Sequence, residues 1–240
     1  MIDWRDEGFV IAVRPHGETS AILEVFSQSH GRHLGVVRGG ASRKLAAILQ
    51  PGTGLQLDWR ARLDDHIGTF TVEPLRSRAH LLSDRLALAG LLSACALLRV
   101  ALPEREAHPA LWAVTLGFLD TLGTKGWTST YLRWELRLLE ELGFGLDLAR
   151  CAVTGETEGL AYVSPKTGRA VTRQGAGEWA DRLLPLPKDL NGEAELLPDD
   201  LLVGLKLTGF FLDNGLRPVL HDRPLPEARA RFLDLLSRPT

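Results

Sequence analysis

The sequence predicts an α+β multidomain chain: a small N-terminal β-barrel of the OB type, then an all-α helical domain interrupted by a small irregular insert. Three observations carry that prediction. Residues 1–80 fall into short runs with strand-like alternation and turn punctuation. From about Leu81 the apolar period becomes helical. Residues 151–177 then break that period with Gly, Thr and Ser.

Five strands are expected, over 9–14, 21–26, 33–38, 55–63 and 67–73. The fourth alternates most cleanly, with Leu55, Leu57, Trp59, Ala61 and Leu63 on one face and Gln56, Asp58, Arg60 and Arg62 on the other. A period of two marks a sheet with one wet face. Five short strands with a longer connection after the third suit a closed barrel. In the second region, Ser83 or Asp84 caps a helix running to about Val100 and stopped before Pro103. A second helix spans 109–122 and ends at Gly123. A third starts after Thr128 and ends at Gly143, with Leu132, Leu136, Leu139 and Leu142 at helical spacing. The insert, at about 147–177, carries a strand at 160–164 and a turn at 165–168. A helix opens on the acids Asp199 and Asp200 and continues to Asn214-Gly215, and a last one covers 226–236. The expected division is a barrel domain, 1–80, and a helical domain, 81–240.

With 45% hydrophobic and 24% charged residues, the composition is that of a soluble globular protein. Two cysteines, Cys95 and Cys151, with no C-x-x-C pair indicate a reducing compartment and no disulfide scaffold. The charged start of the chain gives no secretory h-region, and the most apolar run, 86–98, is too short to span a bilayer. A cytoplasmic protein without membrane attachment is expected.

Charge is distributed unevenly. The net charge is -2, so composition alone does not suggest a polyanionic partner. Yet no acid lies between Glu24 and Asp58, where about four would be expected by chance, and Arg32, Arg38, Arg43 and Lys44 fall inside that window with His30 and His33. It includes the Gly-rich run GVVRGGASRK, in which Gly39 and Gly40 would let backbone approach a ligand. A cationic loop on a small barrel suits a phosphate backbone gripped without base readout. Arg60 and Arg62, on the polar face of the fourth strand, extend this surface, and Arg14 is counted with it. Phe26, Trp59 and Phe70 have core-like neighbours, with base stacking as the alternative.

No GxxxxGK[ST], GxGxxG or GxSxG occurs, so phosphate-loop, dinucleotide and hydrolase-elbow chemistry have no anchor. Asp64-Asp65-His66 could hold a metal, and with it a nuclease activity, but Asp is also the usual turn residue between strands. His30-x-x-His33 lacks further zinc ligands and is assigned to a turn and the basic surface. Cys151 opens the insert, but position 154 is Thr154 and one thiol cannot build a closed zinc site. No metal or other cofactor is therefore expected. On the third helix Arg133 and Arg137 lie one turn apart. Glu141 is placed to pair with Arg137, which leaves Arg133 either solvated or available to an acidic peptide.

Three separated stretches, in order, carry a resemblance over nearly the whole chain. They are GFVIAVRPHGETSAILEVFSQSHGRHLGVVRGGASRKLAAILQPG, YLRWELRLLEELGFGLDLARCAVTG and LPEARARFLDLL. Together they resemble the RecO family of bacterial recombination mediators. The resemblance implies an OB-fold followed by a helical domain with a zinc-finger-like insert. Many members carry four cysteines there; here only Cys151 matches, and Thr154, Val171 and Gln174 take the other places, which implies an insert held by packing. It further implies a non-enzymatic protein that binds ssDNA and dsDNA and anneals complementary strands. Its partners would be RecR and the acidic C-terminal tail of the single-stranded DNA-binding protein (SSB), and it would work in the cytoplasm at the nucleoid during repair. Arg38 matches the family's basic GR…(K/R)G position, Arg43 and Lys44 its loop, and Arg133 the residue some members use for the SSB tail, with Arg137 counted beside it for that tail. The alternative is an OB-fold scaffold that contacts only proteins.

Overall fold

The computed structural model describes residues 1–63, 65–188, 190, 192 and 194–238. Asp64, the first residue of the Asp64-Asp65-His66 set, lies outside the described residues.

β1 (Ile2–His16), β2 (Ser20–Ser27), β3 (Gly31–Val37), β4 (Gly54–Ala61) and β5 (Thr69–Arg76) close into a barrel in the order β1-β2-β3-β5-β4. Four of the pairings are antiparallel, and β3 with β5 is parallel. Closure leaves no free sheet edge. The interior is the alternating apolar row of each strand, including Val10, Leu23, Val25, Leu55, Leu57, Trp59 and Phe70. β4 alternates as its sequence predicts as far as Ala61. Leu63 lies beyond the strand and is 56% exposed. β1 begins earlier than expected: its charged start pairs in register with β4, which places Asp3 opposite Arg60 and Arg5 opposite Asp58.

The Gly-rich run is not loop throughout. Ser42 caps a short helix, α1 (Arg43–Ile48), by accepting a hydrogen bond from the Leu45 amide, and Leu45 and Ile48 pack against the barrel core. α2 (Arg85–Ala101) is capped by Asp84, whose carboxylate accepts from the Leu86 and Ala87 amides. α3 (Pro109–Thr121) follows, with Pro109 in its first turn.

The second stretch of chain holds α4 (Trp127–Glu141), β6 (Leu160–Val163), β7 (Ala170–Thr172), α5 (Arg173–Ala176), β8 (Leu184–Pro185) and α6 (Pro198–Leu220). α4 starts earlier than predicted, at the buried Trp127 after a left-handed Gly126, and not after Thr128. The helical domain is also not purely α: β7, β6 and β8 form a small sheet in the insert. α6 does not stop at Asn214-Gly215. A Cβ on Gly215 would lie 2.6 Å from the Phe144 ring, so this glycine serves close packing within a helix that continues to Leu220. α7 (Glu227–Leu236) closes the described chain.

The last barrel strand ends at Arg76. By packing, however, the chain divides into Met1–Gly123 with the stretch from Pro226 onward, and Thr124–Leu225. In the first unit α7 packs on α2; in the second α4 packs on α6. No described helix is long and apolar enough to cross a membrane.

Candidate nucleic-acid interface

Strand register gathers three of the predicted cations. Thr69 of β5 lies beside Val36 of β3 on one side and Arg60 of β4 on the other. The end of β3, which leads into Arg38, is thereby brought to the end of β4, which carries Arg60 and leads into Arg62. These arginines line one open hollow of about 670 Å³, together with His66, Ile67 and Gly68. All three are exposed, and among the described residues none has an ion-pair partner. Arg14, near the end of β1, and Arg43 and Lys44, in the first turn of α1, are likewise exposed but do not line this hollow. Gly40 does not serve ligand approach: a Cβ there would lie 2.7 Å from Ala21, so its bareness lets the loop pack on β2.

Arg32 is removed from the predicted surface. Its guanidinium is 2.6 Å from Glu24, its Nε–H donates to the Leu102 carbonyl at 2.8 Å, and Glu104 lies 3.6 Å away. Glu24 is itself buried and also accepts from Arg99 at 2.9 Å. A half-buried arginine so held neutralises an internal carboxylate and offers little to solvent. The two histidines also leave the basic surface. His30 stacks on Trp4 with ring centroids 4.0 Å apart and sits 3.2 Å from Asp6. His33 is buried against Trp4, Trp59 and Phe70, with neither ring nitrogen hydrogen-bonded among the described residues. Burial first, then the nearby charges of Arg105 and His30, pushes its pKa down from 6.5 to about 4. Phe26, Trp59 and Phe70 are core residues, each no more than 2% exposed, which closes the base-stacking alternative for them.

In the second unit, Arg133, Leu136, Arg137, Leu146, Leu148 and Leu190 are among the residues lining a separate hollow of about 540 Å³. Arg137 pairs with Glu140, one residue nearer than predicted. The Arg133 guanidinium donates to the Ala194 carbonyl, while its buried Nε has no hydrogen-bond partner among the described residues.

The residues at the family's cysteine positions in the insert do not fit a closed zinc site. Val171, at one ligand position, is buried in an apolar cluster with Cys151 and Ala176, and Gln174, at another, is exposed. Thr154 bonds through its hydroxyl to Glu156. The Cys151 sulfur instead accepts from the backbone amides of Val153, Thr154 and Thr172 at 3.2–3.4 Å, with the Thr172 hydroxyl at 3.5 Å. Burial pushes this thiol up, but the hydrogen bonds from Thr154 and Thr172 outweigh it and bring it down to about 6.

The closed OB barrel, and the helical stretch with its small sheet insert that follows it along the chain, correspond to two family models of DNA repair proteins. The Recombination protein O N terminal family matches residues 1–78, and the Recombination protein O C terminal family matches residues 82–224. The chain is 63% identical over 238 residues to the DNA repair protein RecO of Cereibacter sphaeroides, covering 99% of this chain and 100% of that protein. It is 59% identical to the protein of that name from Ruegeria sp. and 56% identical to that of Roseobacter denitrificans, each match covering 99% of both chains. The chain belongs to the RecO family of DNA repair proteins.

Beyond the predicted set, the structure adds His66, Ile67 and Gly68 to the arginine-lined hollow. His66 was marked in the sequence only as a possible metal ligand, and Ile67 and Gly68 by nothing; they arrive because β5 starts beside the ends of β3 and β4.

Proposed function

We propose that this chain is a non-enzymatic recombination mediator whose barrel binds ssDNA and dsDNA through phosphates and brings complementary strands together to anneal. The convergence of Arg38, Arg60 and Arg62, unpaired among the described residues, on one hollow carries this reading. Neutralising phosphates on two strands lowers their repulsion, and base pairing drives annealing without a nucleotide cofactor. Charge reversal at the three positions is expected to weaken oligonucleotide binding at low salt by about a hundredfold or more, read by fluorescence anisotropy. Unchanged affinity would favour the protein-only scaffold.

The helical unit is proposed to take the acidic tail of SSB, and the chain to act with RecR in loading recombinase on coated DNA at the nucleoid. The hollow beside Arg133 offers apolar Leu136, Leu146, Leu148 and Leu190 next to two guanidiniums, the combination an acidic peptide with an apolar side chain requires. Arg133→Ala is expected to weaken an SSB-tail peptide about tenfold by calorimetry, in line with a charge-assisted contact. An unaltered Kd would reject that placement.

A further inference from the structure

The chain between α2 and α3 lies across the barrel as a strap, and its contacts begin at the β2–β3 turn. The Arg105 amide donates to the Arg32 carbonyl at 2.8 Å, and Glu104 forms a parallel bridge with Arg32. Gly31, at φ +61, is so close beneath the strap that a Cβ would fall 1.7 Å from the Glu106 carbonyl oxygen. Arg105 itself has φ 66, a left-handed conformation that a bulky side chain adopts rarely. That conformation accompanies a particular placement of its guanidinium. The group lies 5.9 Å from the Trp59 ring centroid and donates to the His66 carbonyl at 2.8 Å.

The acceptor belongs to a short wall with three consecutive carbonyls. His66 is held by Arg105, Ile67 by the Trp59 indole N–H at 3.0 Å, and Gly68 by the Val36 amide at 3.0 Å. Gly68 is pressed against Trp59, where a Cβ would lie 2.4 Å from the ring. Trp59 and Val36 are parts of the barrel; Arg105 reaches in from the strap. The same three residues, His66, Ile67 and Gly68, line the hollow with Arg38, Arg60 and Arg62.

We propose that Arg105 is a positioning residue for nucleic-acid binding: from the strap, it fixes the His66–Gly68 wall so that the arginines of the hollow face one strand together. This rests on the DNA-binding reading of that hollow. Lysine cannot replace it, because a forked guanidinium can lie within cation–π range of the indole and donate to the carbonyl at once, whereas an ammonium is a compact point charge.

The test uses the full chain and a dye-labelled oligo(dT) strand, with Arg105→Ala, Arg105→Lys, Arg62→Ala and the Arg105→Ala/Arg62→Ala double variant. Arg105→Ala and Arg105→Lys are each expected to weaken binding about fivefold, and Arg105→Ala to cost less than about twofold in the Arg62→Ala background, the non-additivity of residues acting through one wall. Amide hydrogen exchange over residues 66–72 should quicken in Arg105→Ala while that of the β1–β2 hairpin stays as in wild type. A fivefold loss that persists in the Arg62→Ala background would make Arg105 a direct phosphate contact, and wild-type affinity in Arg105→Lys would reduce its role to charge; either overturns the proposal. So would unchanged exchange over 66–72. A combined Arg38, Arg60 and Arg62 to Ala variant separates the two levels. If it binds as wild type, the DNA-binding reading fails; if it loses binding while Arg105→Ala does not, Arg105 fails alone.

Discussion

His33 sits among Trp4, Trp59 and Phe70, a neutral imidazole in a cage that gives it no hydrogen bond among the described residues. Its pKa of about 4, against 6.5 in the unfolded chain, fixes the sign of its linkage. Above pH 6.5 both states are neutral and its contribution to stability is complete. As pH falls from 6.5 towards 4, the unfolded chain takes up a proton that the folded barrel refuses, and stability is lost. The loss should reach about 2–3 kcal/mol by pH 4.5. Urea unfolding at pH 7.5 and 4.5 measures it, and His33→Phe should remove that component of the pH dependence. Sequence showed His33 as one of two histidines in an acid-free window and grouped it with surface cations. It could not show that β3 alternation turns His33 inward with Val37, or that Glu24 bends Arg32 back into an ion pair. Arg38, Arg60 and Arg62 were legible because each lies on or just past the polar row of a strand.

At the scale of elements, periodicity located the barrel strands and the long helices within a few residues. It missed the features set by partners: the charged start of β1, whose pairing depends on β4, and the Gly215 position, where Phe144 and not a chain stop explains the glycine. The insert shows the same division. Its lone thiol was legible, but the apolar cluster of Cys151, Val171 and Ala176 and the three amides converging on sulfur were not. Cys151→Ala leaves those amides without their acceptor and is expected to cost about 2 kcal/mol, with Cys151→Ser costing less. A chelator is expected to leave the wild-type melting temperature unchanged. Thermal melts of the three proteins with and without chelator check both outcomes, and a chelator-induced drop would mean that a metal supports the insert after all.

For the whole molecule, a net charge of -2 means that any nucleic-acid binding must be local. If Arg38, Arg60 and Arg62 each neutralise one phosphate of a single strand, log K against log salt should slope at about −2; a slope of about −4 would bring in Arg14, Arg43 and Lys44. Titrations of oligo(dT) at several salt concentrations decide between the two. The packing division carries a second lesson. Residues 226–236 were legible as a helix, yet nothing in their order along the chain places them with the barrel-bearing unit, where α7 lies on α2. By itself the sequence determined the fold class, the strand rows, the helical stripes and the RecO resemblance, because period, capping and turn chemistry act over a few residues. Only the tertiary structure decided which cations remain free. Glu24 claims Arg32 and Arg99, Asp6 holds His30, and Arg105 reaches a carbonyl 39 residues away, since charge and hydrogen bonding follow distance in space and burial, not spacing along the chain.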